Sequence, residues 1–430
     1  MKIQKIILLI LGIVLVACTP RVDDLFDETA VVRLEHRRAA LMEQFMKAEN
    51  GWVMQYFARV NPVASDTAQH KGYTFIMKFR EDGTVTIAGE VNGLYKTETS
   101  MWDVINDNSS VLTFNTFNSI FHYYSNPDPE LGLRGADGEG IGGDYEFLVL
   151  EYNEKENYQL LKGKKNGCYI RMYPMAAGQD WEDYFAQIHA MDEFLFEEAN
   201  TLDLFQDEQH WTLYNARTHE FRAFDYAADT LGGGSYFGFI TTPKGIYING
   251  DKLDSAHNMP REYFLLSADK SRLVSTTSPD TYITIDPLDV LVSASSVWRF
   301  ANGINTTFDA AEAVVNQNIS AVAPNSYIAS YGWKKAADGR YELYVYYSLR
   351  GKAATNYDIY YFTAEEGRHS VKLTYSEPHA TRKNLVNYGS LDLVPLFNGT
   401  YDLALTTPWR PSKGLTATRQ IDPIVLHLAH

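Results

Sequence analysis

The chain has 430 residues, 45% hydrophobic and 21% charged, a balance that suits folded domains and argues against a disordered or fibrous protein. Its formal charge of −16 leaves no basic footprint for phosphates, so nucleic acid is not an expected partner. Aromatic residues make up 13%, with 29 Tyr, a usage that suits strands and ligand faces better than helices. A chain this long exceeds one ordinary core, and two or three domains are expected.

Residues 1–17 have the three parts of a bacterial secretory signal: a basic start at Lys2 and Lys5, an apolar run from Ile6 to Val16, and the small Ala17 before Cys18. The apolar run is too short to span a bilayer of about 30 Å as a stable helix. Cys18 is the expected lipidation site and new N-terminus, followed by a tether over 18–24. Asp23-Asp24 resembles the surface-export signal of Bacteroidetes lipoproteins, with Val22 where a basic residue or Gln is usual. The expected address is the outer membrane, lipid-anchored and surface-exposed. Cys168 has no partner left for an intramolecular disulfide, so a buried thiol is expected.

From Asp24 to Asn50, apolar residues at Leu25, Val32, Leu34, Leu41, Phe45 and Met46 predict a helix capped by Asp24 or Asp27. Trp52 then opens a β-rich region. Tyr73–Phe79 and Thr84–Ala88 flank the turn residues Asp82-Gly83 and read as a hairpin. Further strands are predicted at 101–105, 111–114, 119–124, 145–151, 158–162 and 168–173. Such a meander suggests a closed, lipocalin-like barrel over 25–180, with Trp52, Phe75, Phe79, Phe114 and Phe147 in its core.

Asp180 caps a second predicted helix reaching Leu202, with Trp181, Phe185, Ile188 and Leu195 on one face. Strands resume from Trp211 to Ile285. The middle region, 181–289, reads equally as a second barrel or as the completion of the first. A boundary at Pro287–Ser293 precedes a C-terminal β-sheet domain over 290–430, with a helix at Phe308–Asn318, strands from Tyr327 to Tyr375, and a tail from Leu391. The expected fold is thus mostly β with a few helices.

The stretch from Asp24 to about Pro174 resembles uncharacterised Bacteroidetes lipoproteins that occur beside SusC/SusD-type nutrient-import pairs and form a domain-of-unknown-function family. The resemblance is carried by Asp24–Glu28, Ala48–Trp52, Phe79–Thr84, Phe114–Asn118, His122-Tyr123, Gly142–Phe147 and Leu161–Lys165. It implies an outer-membrane lipoprotein in a nutrient-acquisition setting, and no catalytic residues.

The residues themselves carry no catalytic signature. Glycines 138, 140, 142 and 143 lead into a strand rather than a helix, which removes the phosphate-loop reading. Asp128, Asp137 and Asp144, with Glu130 and Glu139, make the same loop the best candidate for a structural Ca²⁺; no other cofactor is expected. His210 and His219 bracket a hairpin and could meet there. In Tyr341–Tyr347, alternation assigns Tyr341, Leu343, Val345 and Tyr347 to the core. Taking Tyr357, Ile359 and Tyr361 as inward in the next strand leaves Tyr344, Tyr346 and Tyr360 as an outward aromatic row beside Glu342 and Asp358, a sugar-binding platform. The expected function is non-catalytic binding of a glycan or peptide, or service as accessory subunit of a TonB-dependent import system of SusC/SusD type. The alternative is a secreted hydrolase with an unrecognised carboxylate pair.

Overall fold

A computed structural model describes residues 28–59, 71–128, 130–132, 140–226, 234–293, 295–422 and 424–429. The signal segment, Cys18, the tether and Asp137 lie outside these residues. Two compact units form, one from residues up to Tyr56 and Thr74–Gln179, the other from Phe57–Tyr73 and Asp180–His430. Mostly β architecture with a few helices is what the sequence led us to expect.

In the first unit, helix α1 (Ala30–Met46) is capped by Thr29, whose hydroxyl accepts from the Val32 N–H at 3.4 Å. Its first turns are exposed, and Phe45 is the fully buried residue at its far end. Eight antiparallel strands follow in sequence order: β1 (Trp52–Phe57), β2 (Gly72–Phe79), β3 (Thr84–Val91), β4 (Leu94–Asn106), β5 (Ser110–Phe114), β6 (Glu146–Asn153), β7 (Tyr158–Gly163) and β8 (Tyr169–Pro174). β8 pairs back onto β1, with Pro174 opposite Trp52, and the barrel closes without an open edge.

The bore of an eight-stranded barrel is about wide enough for side chains to fill, and here aromatic rings fill it. Phe45, Trp52, Phe79 and Trp102 pack at one level, with ring centroids 4.6 Å apart for Phe79 and Trp102. Tyr56, Phe75, Phe114, Phe121, Tyr124 and Phe147 pack at the other. All five predicted core aromatics are buried, as is Cys168. The predicted strand over 119–124 is instead a turn leading into a short 3-10 helix, His122–Tyr124. Asn118 causes this: its side-chain oxygen accepts from the N–H groups of Ile120 and Phe121 and turns the backbone away from a ladder.

In the second unit, Asp180 caps helix α2 (Trp181–Phe196) by accepting from the Asp183 N–H at 2.9 Å. The helix ends six residues before the predicted Leu202, because Leu202 and Leu204 alternate with Asp203 as strand β9 (Thr201–Gln206). Residues 201–284 close a barrel of their own: β10 (Gln209–Tyr214), β11 (Glu220–Asp225), β12 (Ser235–Thr242), β13 (Gly245–Ile248), β14 (Glu262–Leu266), β15 (Leu273–Ser275) and β16 (Tyr282–Thr284), which returns to β9.

Helix α3 (Pro287–Ser293) leads to β17 (Trp298–Ala301), helix α4 (Thr306–Val322), and strands β18 (Tyr327–Lys335), β19 (Tyr341–Ser348), β20 (Asn356–Gly367), β21 (Ser370–Pro378), β22 (Gly399–Leu405), β23 (Leu415–Arg419) and β24 (Val425–Leu428). These eight strands lie in sequence order, and a bridge from Arg299 to Ala429 brings the last back to the first. The segment read as a tail therefore supplies three strands. Between β22 and β23 it also sends Trp409, 1% exposed, into the core of the middle barrel, where its indole N–H donates to the Lys270 carbonyl.

Candidate functional site

The turn that replaces the predicted strand builds a surface feature at one rim of the first barrel. His122 Nδ1 lies 3.0 Å from the Asn118 backbone nitrogen and 3.2 Å from the Asn118 carbonyl oxygen, contacts that fix the ring. Burial holds the His122 pKa below its ordinary value, so the ring is neutral at pH 7. Phe117 lies beside it, centroids 5.4 Å apart and planes at 31°, and Tyr145 also lies beside it, at 5.6 Å and 36°. Phe117 is 53% exposed and Tyr145 49% exposed, large fractions for rings of this size.

Charged groups flank the row. Glu98 accepts from the N–H and hydroxyl of Ser119. Lys164 bridges Asp107 at 2.6 Å and Glu146 at 3.0 Å. A pocket of about 350 Å³ beside Tyr145 is lined by Ser125, Gly143, Glu146, Lys164 and Lys165. Three rings with carboxylates and an ammonium at their ends can stack on an apolar ring face and hydrogen-bond its polar edge.

Several of the residues that carried the family resemblance meet here, among them Phe117, His122 and Gly143–Glu146, and the structure explains some of them. Asp144 accepts from the N–H groups of Lys165 and Asn166, clamping the β7–β8 turn to the rim, although burial raises its pKa. A Cβ at Gly163 would sit 2.1 Å from that carboxylate, and one at Gly143 2.2 Å from the Tyr56 hydroxyl, so both positions need glycine.

The acidic loop is not assembled as a Ca²⁺ site among the described residues. Asp144 is committed to its turn, Asp128 accepts from the Glu130 N–H in its own, and Asp137 lies outside the described residues. No group of three His, Cys, Asp or Glu side chains is placed to hold a metal among the described residues.

The expected tyrosine row is rearranged. β19 sends Tyr341, Leu343, Val345 and Tyr347 to the core, as alternation requires, but β20 has the opposite face from the one assigned. Leu343 pairs with Tyr360 and Val345 with Asp358, so Tyr360 and Asp358 are core residues, each 0% exposed. Asp358 is tolerated there because it accepts from the Leu385 N–H and the Tyr347 hydroxyl. The outward row is Tyr344, Tyr346 and Tyr357, with Glu342 accepting from the Tyr344 hydroxyl at 2.8 Å. Tyr346 is itself buried, and the Arg299 guanidinium sits 4.1 Å above its ring.

His210 and His219 each hold a separate carboxylate: His210 Nε2 is 2.9 Å from Asp203, and His219 Nε2 is 2.5 Å from Asp192. Asp203 begins a polar network, buried at Asp203 and Asp286, that sequence reasoning missed. Its second oxygen accepts from the Asp286 N–H, Asp286 holds His369 at 2.9 Å, and Asp289 accepts from the Tyr226 hydroxyl at 2.7 Å. Asp203 and Asp286 lie far apart in the chain, and the return of β16 beside β9 brings them together.

Fold and rim together define a mostly β protein built from eight-stranded modules fronted by helices. The chain belongs to the family described as Domain of unknown function (DUF4302), which matches residues 22–250, the whole first barrel and the middle one through β13. No curated protein matches. Among solved structures, Caulobacter crescentus pol III beta is 8% identical over 91% of this chain and 97% of its own, with a TM-score of 0.11, which carries no argument.

Proposed function

We propose that this protein is an outer-membrane lipoprotein, anchored through Cys18, that binds a glycan or peptide at the cell surface without turning it over. One observation carries this reading: the first barrel is filled by its own aromatic rings, yet its rim presents Phe117 and Tyr145 to solvent beside the half-buried His122. A filled bore leaves the rim as the ligand-facing part of that module. The resemblance to lipoproteins encoded beside SusC/SusD-type pairs supports delivery of the ligand to a TonB-dependent transporter, as binder or accessory subunit.

Purification of the mature protein from native membranes tests this. The expected result is a co-purified transporter, or a retained glycan or peptide, together with lipid labelling that Cys18→Ser abolishes. Labelling of Cys18→Ser, protection from protease on intact cells, or turnover of a bound polymer would each contradict part of the reading.

A further inference from the structure

A cleft of about 320 Å³ opens in the second unit, between the middle barrel and the C-terminal sheet. Its lining combines apolar Ile285, Pro287, Leu403, Leu405 and Pro408 with polar Asp269, Arg272, Tyr282 and His369.

The polar lining residues are pre-arranged by buried partners. Asp286, 2% exposed, accepts from the Leu288 N–H and lies 2.9 Å from His369 Nδ1. With Nδ1–H donated to that carboxylate, His369 Nε2 accepts from the Tyr282 hydroxyl at 3.1 Å. His369 occupies the left-handed region at φ 53° in the β20–β21 turn, so the backbone as well as Asp286 fixes its ring. The Arg272 guanidinium lies 4.8 Å over the Tyr282 ring and forms no ion pair with a described residue. Asp269 is tied down by Ser267 and Ser271 and retains acceptor capacity at the cleft.

We infer that this cleft binds a polyhydroxylated carboxylate of the uronic-acid class. Arg272 is a planar, unpaired cation suited to bidentate contact with a carboxylate. Asp269 accepts from ring hydroxyls, the Tyr282 oxygen, whose proton goes to His369, accepts from another, and the apolar lining residues receive the C–H face of the ring. A phosphate fits less well, because its second charge would face Asp269 and the Asp286 carboxylate behind His369. The volume accommodates one sugar ring and its substituents. This site is separate from the rim and its assignment does not depend on the rim reading.

Isothermal calorimetry on the full mature protein in detergent, with D-glucuronate and D-galacturonate as probes and D-glucose and D-galactose as controls, tests it. The expected result is binding of at least one uronate, with the matching neutral sugar at least about tenfold weaker, as the loss of a charge-assisted hydrogen bond predicts. Arg272→Gln, an exposed position, should lose about tenfold or more of that affinity at an unchanged melting temperature, and Tyr282→Phe should weaken it less. Phe117→Ala should leave it unchanged, which separates this site from the rim. Absence of heat with millimolar uronate, equal binding of neutral sugars, or unaltered affinity in Arg272→Gln would overturn the assignment.

Discussion

The indole N–H of Trp52 donates to the backbone carbonyl of Phe45 at 2.7 Å, locking the end of α1 onto the first strand of its barrel. The same device recurs where α3 meets β17: Trp298 donates to the Leu291 carbonyl, also seven residues back, at 3.1 Å. Each tryptophan satisfies a carbonyl near a helix end that has no partner further along the helix.

Trp52→Phe keeps an aromatic ring but removes the donor, leaving the buried Phe45 carbonyl unsatisfied. A loss of about 1–3 kcal/mol is expected, read as a lower melting temperature, whereas a neutral result would mean that water reaches that carbonyl.

Phe79 and Phe117 are both phenylalanines of the first unit, and their environments predict opposite outcomes. Phe79 packs between Phe45 at 5.2 Å and Trp102 at 4.6 Å, so Phe79→Ala should cost about 3–5 kcal/mol. Phe117 is largely exposed, and Phe117→Ala should stay within about 0.5 kcal/mol. Chemical denaturation of the two variants checks the contrast; equal losses would mean that the rim ring belongs to the core.

Asp289 gives a pH dependence. Burial, and then the nearby Asp203 carboxylate, raises its pKa to about 6. A raised carboxyl contributes stability that is fully present below its unfolded value and is lost as pH rises through about 6. Asp289→Asn can still accept from Tyr226 and removes the charge. At pH 8 the variant should melt roughly 2–4 °C higher than the wild type, for about 1 kcal/mol after solvent screening, and the two should coincide near pH 4. A variant less stable at pH 8 would show that the charge is favourable there.

Much of the fold was legible because strand alternation and turn chemistry are local. The five core aromatics, the Asp180 cap and most strands follow from spacing within ten residues. What was hidden depended on partners distant in sequence. β20 was assigned the wrong face because Asp358 reads as a solvent residue until the Leu385 N–H is known to meet it. The tail was underestimated because Tyr401 and Leu403 are buried by partners distant in sequence, Tyr401 against Trp333 and both on a strand paired with β21 and β23. The rim site was partly visible: Phe117, His122 and Tyr145 all lay within the residues carrying the resemblance, but Asn118 was not recognised as the turn that brings them into one row.

The proposed binding of ligand by the exposed rim rings is decided by a Phe117→Ala/Tyr145→Ala double variant. Its affinity for a glycan or peptide bound by the wild type should fall at least tenfold, roughly the 1.4 kcal/mol that lost ring contacts supply, at an unchanged melting temperature. Undiminished affinity in the folded double variant would place the ligand elsewhere than on the rim.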